Sequence, residues 1–132
     1  MANEGVCIET PTIFERRTIA TGTAMPFGTI MKLTDDNTVV ISAADNDPFG
    51  GICWTPILAA DTFTEITVAM DGIWDLKDSG AGGSAGAIVN VGGANLIVDS
   101  AAADLLTGSV VGKREMDAAA SEVSRIRVGH ST

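Results

Sequence analysis

The chain has no tyrosine, a single histidine, two cysteines and only eight lysines and arginines, and each shortage closes a route to function. The lone histidine, His130, lies near the C-terminus with no partner at ligand spacing. It offers neither a zinc site nor a preorganised base for a serine or cysteine nucleophile. Seventeen acidic residues against eight basic ones leave a formal charge of −9. That balance excludes nucleic acid and anionic membrane as partners, because both are bound through clustered Lys and Arg. The only adjacent basic pairs are Arg16–Arg17 and Lys113–Arg114, and neither builds a patch. Cys7 and Cys53 form no CxxC arrangement, so free structural thiols in a reducing compartment are expected. The start, "MANEGVCIET", lacks the basic and apolar regions of a secretory signal. The uncharged window from Ser79 to Val98 is long enough to cross a bilayer, but its glycines, serines and asparagines make it too polar to do so. No membrane segment is expected.

What the chain does have is enough apolar material for a core. Of 132 residues, 45% are apolar and 19% charged, which predicts one folded domain. Aromatics are scarce, so the core must be largely Val, Ile, Leu, Ala and Met. Abundant Gly, Ser and Thr favour short strands and turns.

Residues 1–14 read as an N-terminal arm, loose unless something ties it down. "TIMKLTDDNTVVIS" has the form of a hairpin around Asp35-Asp36-Asn37. "TEITVAMDGIWDL" gives the strongest strand signal: Ile66, Val68, Met70, Trp74 and Leu76 share one parity, with a bulge expected at Gly72. "AIVNV" and "NLIVD" flank Gly92-Gly93-Ala94 as a second hairpin, "SAAADLL" could hold one short helix capped by Ser100, and "GSVVGKR" and "SEVSRIRV" read as closing strands. No repeat of fixed period is visible. The expectation is a small all-β barrel or sandwich spanning residues 15–132.

Tests for chemistry fail one by one. "KDSGAGGSAGAIVNVGG" is glycine-rich, yet no Lys follows the glycines as a P-loop demands, and Gly80, Gly82 and Gly86 do not match the dinucleotide spacing. A β-branched run follows rather than a helix, so no helix terminus is available for an anion. The stretch reads as a mobile loop between strands. Asp45-Asn46-Asp47 begins like a calcium loop, but Phe49 stands at the third ligand position. Asp71 and Asp75 could act as paired carboxylates, though they share the polar face of the inferred strand and read as solvated charges. Trp74 shares the apolar parity and suits the core or an intersubunit seam, together with Met70. Trp54, between Cys53 and Pro56, fits core, interface or sugar stacking. A glycan-binding β-sandwich using Trp54 or Trp74 is therefore the alternative function.

The order of segments resembles the small decoration (cement) proteins of tailed-phage capsids. "GTIMKLTDDNTVVISAADNDPFGGICWTP" resembles their opening strand, turn and "G-[IV]-[AC]" step, and "ITVAMDGIWDL" their middle "V-x-x-x-G-[VI]-[WF]-x-L" strand. "GAGGSAGAIVNVGG" falls at their glycine-rich loop, and "TGSVVGKREMDAAASEVSRIRV" resembles their closing segment. Asn90 and Val91 stand where the family often has an aromatic. The resemblance spans about Thr18 to Val128. It implies a β-barrel or β-tulip domain, trimeric on the outer capsid surface at three-fold or quasi-three-fold positions, bracing the shell against packaged DNA. The implied partners are the major capsid protein and two further copies of the chain, made in the host cytoplasm. No catalytic, cofactor or metal site is implied. The arm, with Val6, Ile8, Pro11, Ile13 and Phe14, is the candidate capsid contact by position, and Trp54, Trp74 and Met70 are the candidates for core or trimer packing.

Overall fold

The computed structural model describes residues 3–101 and 108–129, and among them eleven strands and no helix. The strands are β1 (Val6–Glu9), β2 (Phe14–Thr18), β3 (Ile30–Asp35), β4 (Thr38–Ile41), β5 (Phe49–Cys53), β6 (Glu65–Ala69), β7 (Gly72–Lys77), β8 (Ile88–Gly93), β9 (Leu96–Asp99), β10 (Val110–Arg114) and β11 (Val123–Val128). The all-β expectation holds. His130 and most of the "SAAADLL" segment lie outside the described residues.

Five strands close into a barrel in the order β2-β4-β3-β5-β6, and six form a sheet in the order β1-β7-β11-β10-β8-β9. Without β1, the sheet repeats the barrel's circuit, with β7, β9, β8, β10 and β11 standing for β2, β4, β3, β5 and β6. A lone parallel bridge, Asp78↔Ile97, closes it where Thr18↔Thr38 closes the first. The two hairpins pair in identical registers 58 residues apart: Met31↔Ile41 matches Val89↔Asp99, and Leu33↔Val39 matches Val91↔Ile97. Even the bulges recur, at Leu33/Asp35 and Val91/Gly93 in the hairpins, and at Met31/Lys32 and Val110/Gly112 beside β5 and β10. Asn37 and Asn95 turn the two hairpins at left-handed φ of 49° and 58°. Past the hairpins the spacing becomes 61, since Cys53 N–H donates to Thr29 O at 2.8 Å just as Arg114 N–H donates to Ala87 O at 2.9 Å.

The chain is thus an internal duplication, against the expectation of no repeat. Spacing explains the oversight: β2 and β7 are offset by 59 (Ile19 N–H to Thr64 O, Asp78 N–H to Glu122 O), the hairpins by 58 and β5 and β10 by 61, so no single period exists. Identities such as Ile30/Ile88, Asn37/Asn95 and Ser42/Ser100 are sparse. The long strand expected over "TEITVAMDGIWDL" is likewise two strands, the last of the first unit and the first of the second. Gly72, at φ 97°, makes the corner between them, which is why one parity seemed to run through both.

A single apolar seam joins the units. In β3 and β5, Met31 and Cys53 pack inside the first barrel, while Ile30 and Ile52 cluster outside it with Phe49, Ala69, Trp74, Leu76, Val89 and Ile126. The tip of the β8–β9 hairpin docks on this face, with Ile30 N–H donating to Asn95 Oδ1 at 2.8 Å and Asn95 N–H to Ser42 Oγ at 2.9 Å.

Inside the second unit Val89 and Ile97 keep the apolar character of Met31 and Val39, but four other positions change theirs. The first interior holds Ile19, Met25 and Cys53, with Ile41 against them. The structurally equivalent positions are Asp78, Gly83, Arg114 and Asp99. Arg114 Nη2 donates to Asp78 Oδ1 at 2.6 Å and its Nε to Asp99 Oδ1 at 2.8 Å, with Arg114 and Asp78 each 1% exposed. Gly80 and Gly82 N–H groups donate to Asp78 Oδ2. Burial works against the Asp78 charge, but the Arg114 guanidinium and the two amides outweigh it and hold the carboxyl below its usual range.

The glycine-rich stretch is therefore no mobile loop; it wraps an ion pair. Gly82, buried at φ 74°, passes so close to the Ala118 carbonyl that a side chain has no room. A Cβ on Gly83 would meet Arg114 Nε at 2.5 Å, so this glycine makes the space that Met25 fills in the first unit.

Breaking a buried ion pair from one side costs far more than exchanging it whole for apolar groups. Asp78→Asn is expected to lower the unfolding free energy by about 3–5 kcal/mol. The joint change Asp78→Ile, Gly83→Met, Asp99→Ile and Arg114→Cys, which installs the first unit's own interior, is expected to cost less. Urea unfolding compares them, and a joint variant less stable than Asp78→Asn would refute the equivalence. Asp47, Asp71 and Asp78 all have lowered carboxyl pKa values in the fold. Their contribution is complete above the unfolded carboxylate value of about 4 and disappears as pH falls through the lower folded values. Thermal melts should stay flat from pH 7 to 5 and drop below about pH 4, with a smaller drop in Asp78→Asn.

Candidate interaction surface

Four aromatic side chains dispersed in sequence meet at the junction of the two units. Phe14 opens β2, Phe27 lies in the turn before β3, Trp54 follows β5, and Trp74 is central in β7. Ring centroids lie 5.3 Å apart for Phe14–Trp54, 5.2 Å for Phe27–Trp54 and 5.5 Å for Phe27–Trp74. Trp54 meets Trp74 edge-on at 6.2 Å and 84°. Such pairs add about 0.5–1.5 kcal/mol each beyond plain burial. The cluster runs from core to surface: Trp74 is fully buried, Trp54 half-buried, and Phe27 and Phe14 are exposed. Trp74 Nε1–H donates to Asp71 O at 3.1 Å. A buried indole cannot stack on a sugar, so Trp74 drops out as a glycan platform, and Trp54 has rings packed against it. Met70, partly buried, touches both core clusters.

The N-terminal residues lie along their own chain. β1 pairs antiparallel with β7, placing Val6 opposite Asp75, Cys7 opposite Trp74 and Glu9 opposite Ile73. Gly5 N–H donates to Gly28 O at 2.7 Å. Asp71 then fastens the segment entering β2, accepting from Thr12 N–H at 2.8 Å, Thr12 Oγ1–H at 2.6 Å and Ile13 N–H at 2.9 Å. Burial opposes the Asp71 charge, but these three donors together hold its carboxyl low. Asp71 is thus a clamp, and Asp75 is paired with Arg125 Nε at 3.1 Å, so neither is the freely solvated charge expected. Of the five candidate contact residues, Val6, Ile8, Ile13 and Phe14 are exposed, Val6 by 59% and Ile13 by 54%. Pro11 is buried, close to Gly72.

Phe14 and Phe27 flank Trp54 as an exposed apolar edge of the first unit, and Ile13, next to Phe14 in the chain, is exposed as well. Beyond it Phe63 and Leu58, 61% and 68% exposed, project from the loop between β5 and β6. Beneath Phe63 runs an open groove of about 480 Å³, lined also by Arg16, Thr55, Pro56, Thr64 and Glu65. Phe27, Leu58 and Phe63 were not among the sequence candidates; each is a lone aromatic or leucine in a turn-rich segment, with no periodicity to mark it.

The groups that could carry chemistry are engaged elsewhere. Cys7 and Cys53 are free thiols; burial raises both, Cys53 to about 12, so neither is a thiolate near neutral pH. Asp47 accepts from Ala43 and Ala44 N–H at 2.8 Å and faces Lys32, which makes the Asp45-Asn46-Asp47 turn a self-contained structure. Among the described residues, no group of three or more His, Cys, Asp or Glu could hold a metal ion. Among the described residues, no helix is long and apolar enough to cross a membrane.

No protein-family profile matches the chain, and no curated protein matches it. A solved structure does: the crystal structure of the head fiber gp8.5 N base in bacteriophage phi29 is similar over 88% of this chain and 92% of that one, with a TM-score of 0.52 and 14% sequence identity. The likeness is one of fold, and it extends through nearly the whole of both chains.

Proposed function

We propose that the chain is a structural protein of a phage virion that sits on the outer surface of the capsid, without catalytic activity. The observation that carries this reading is the shared fold with the phi29 head fiber base over 88% of the chain. A likeness confined to one five-stranded unit would say little; here both units and their junction take part. The exposed Ile13, Phe14, Phe27, Leu58 and Phe63 supply the apolar contact that docking requires. The committed thiols and carboxylates agree with a binding role, and the acidic balance argues against contact with DNA.

Within this reading the finer arrangement is that of a decoration protein: three copies meet at a three-fold or quasi-three-fold position and grip several major capsid subunits. Grip at several points makes later contacts intramolecular, which multiplies weak individual affinities. The shell is thereby braced against the pressure of packaged DNA. The N-terminal residues, with Val6 and Ile8 exposed on β1, contribute to that contact.

Binding to purified mature heads of the phage encoding this chain tests the reading by co-sedimentation. The full chain should pellet with heads, cross-link as a trimer there, and raise the temperature at which the heads release DNA. The double change Ile13→Asp and Phe63→Asp, both at exposed positions, should weaken sedimentation about tenfold or more while leaving the thermal melt unchanged. Deleting residues 1–14 should also abolish binding. A chain that stays in the supernatant at micromolar concentration would exclude capsid attachment, and binding undiminished by the deletion would exclude the arm.

A further inference from the structure

The duplication makes one feature of the first unit conspicuous. In the second unit, β7 is paired along both edges, by β11 on one side and by β1 on the other. The residues of β7 that receive β1 are Ile73, Trp74 and Asp75. Their equivalents in β2 are Phe14, Glu15 and Arg16, as the registers Phe14↔Ala69 and Ile73↔Arg127 establish. On its inner edge β2 pairs with β6 through all five residues, but on its outer edge only Thr18 meets β4. Among the described residues no strand covers Phe14–Arg16 on that side, and all three are exposed.

We propose that this outer edge of β2 is an acceptor for one extended, acidic strand from a partner protein, added as β1 is added to β7. Three observations select the occupant. First, the equivalent edge already holds a strand, and that strand, Val6–Glu9, shows the chemistry that fits: apolar residues, one glutamate and no basic side chain. Second, the edge presents Arg16, exposed in a chain of net charge −9, while its neighbour Arg17 is part-buried and donates to Asn37 Oδ1 at 3.0 Å. Arg16 is only weakly engaged, 3.5 Å from Glu65 across an exposed pair. Third, the chain's own arm is spoken for. It is held on β7, and only residues 10–13 separate β1 from β2, so it cannot fill both edges.

The backbone polarity also fits. Thr18 N–H donates outward to Asn37 O, and Arg16 O accepts outward from Asn37 Nδ2 at 2.9 Å. By strand alternation the N–H and C=O of Phe14 and the N–H of Arg16 face the same open side. An incoming strand would pair with these groups, set an acidic side chain against Arg16 and an apolar one against Phe14 and Trp54. The charges of Glu15 and Arg16 keep the uncovered edge from pairing indiscriminately.

The edge stands on the duplication; only the identity of the partner as a shell subunit rests on the virion reading. The probe is therefore a synthetic peptide of this chain's own Asn3–Thr10 with Cys7→Ser, at millimolar concentration, added to the full-length protein. Residue-resolved hydrogen exchange reads the outcome. The proposal expects the Phe14 and Arg16 amides to exchange about tenfold or more slowly with peptide present. It expects Arg16→Glu to remove that protection without lowering the melting temperature. Arg16→Pro, which deletes an edge amide, should also remove it. Protection confined to residues 72–77 would mean that the peptide replaces β1, and would overturn the proposal, as would no protection anywhere. Protection without peptide that grows with protein concentration would assign the edge to a second copy and overturn it equally. Failure here leaves head binding untouched, so the two readings fall separately.

Discussion

The apolar seam between the two five-stranded units is the constraint on which the rest depends. Ile30, Phe49, Ile52 and Ala69 leave the first barrel's outer face too apolar to meet water, and Trp74, Leu76, Val89 and Ile126 of the second unit cover it. The matching outer face of the second unit carries Ile88, Lys113 and Arg127, each part-exposed, so it meets water without cover. The seam also locates the interaction surface, since Phe14 and Phe27 are its exposed rim, anchored through half-buried Trp54 on Trp74.

Divergence inside the copies follows the same division of labour. The first barrel is filled with apolar side chains, among them Ile19, Met25 and Cys53. The second is organised around Arg114, whose two carboxylate partners come from separate places, Asp78 just after β7 and Asp99 at the end of β9, while the amides of Gly80 and Gly82 hold the other oxygen of Asp78. Such a centre fixes one arrangement of the glycine-rich segment, because any other leaves a buried guanidinium without its carboxylates. Rigidity, rather than mobility, is what the glycines permit there.

Much of the strand content was legible in the sequence, because local chemistry determines it. Asn37 and Asn95 tolerate the left-handed turn, and the β-branched runs beside them pair accordingly. Trp74 was legible as a core residue through the parity of its strand. What could not be read depends on contacts far apart in the chain. Arg114 and Asp78 are separated by 36 positions, and nothing local distinguishes that arginine from Lys113 beside it. The repeat was hidden because its spacing drifts and because part of the interior changed, Ile19, Ile41 and Cys53 being matched by Asp78, Asp99 and Arg114, which erases similarity where repeats usually keep it. The aromatic cluster was hidden for a related reason: Phe27 and Trp54 become neighbours only when β3 and β5 pair.

Mass spectrometry and cryo-electron microscopy of virions from the phage encoding this chain test the central claim most directly. The account predicts the protein in the purified particle, with density for two joined five-stranded units on the outer shell and the Phe14–Phe27 surface turned toward the capsid. Particles that lack the protein, or density that turns this surface to solvent with no shell contact, would contradict it.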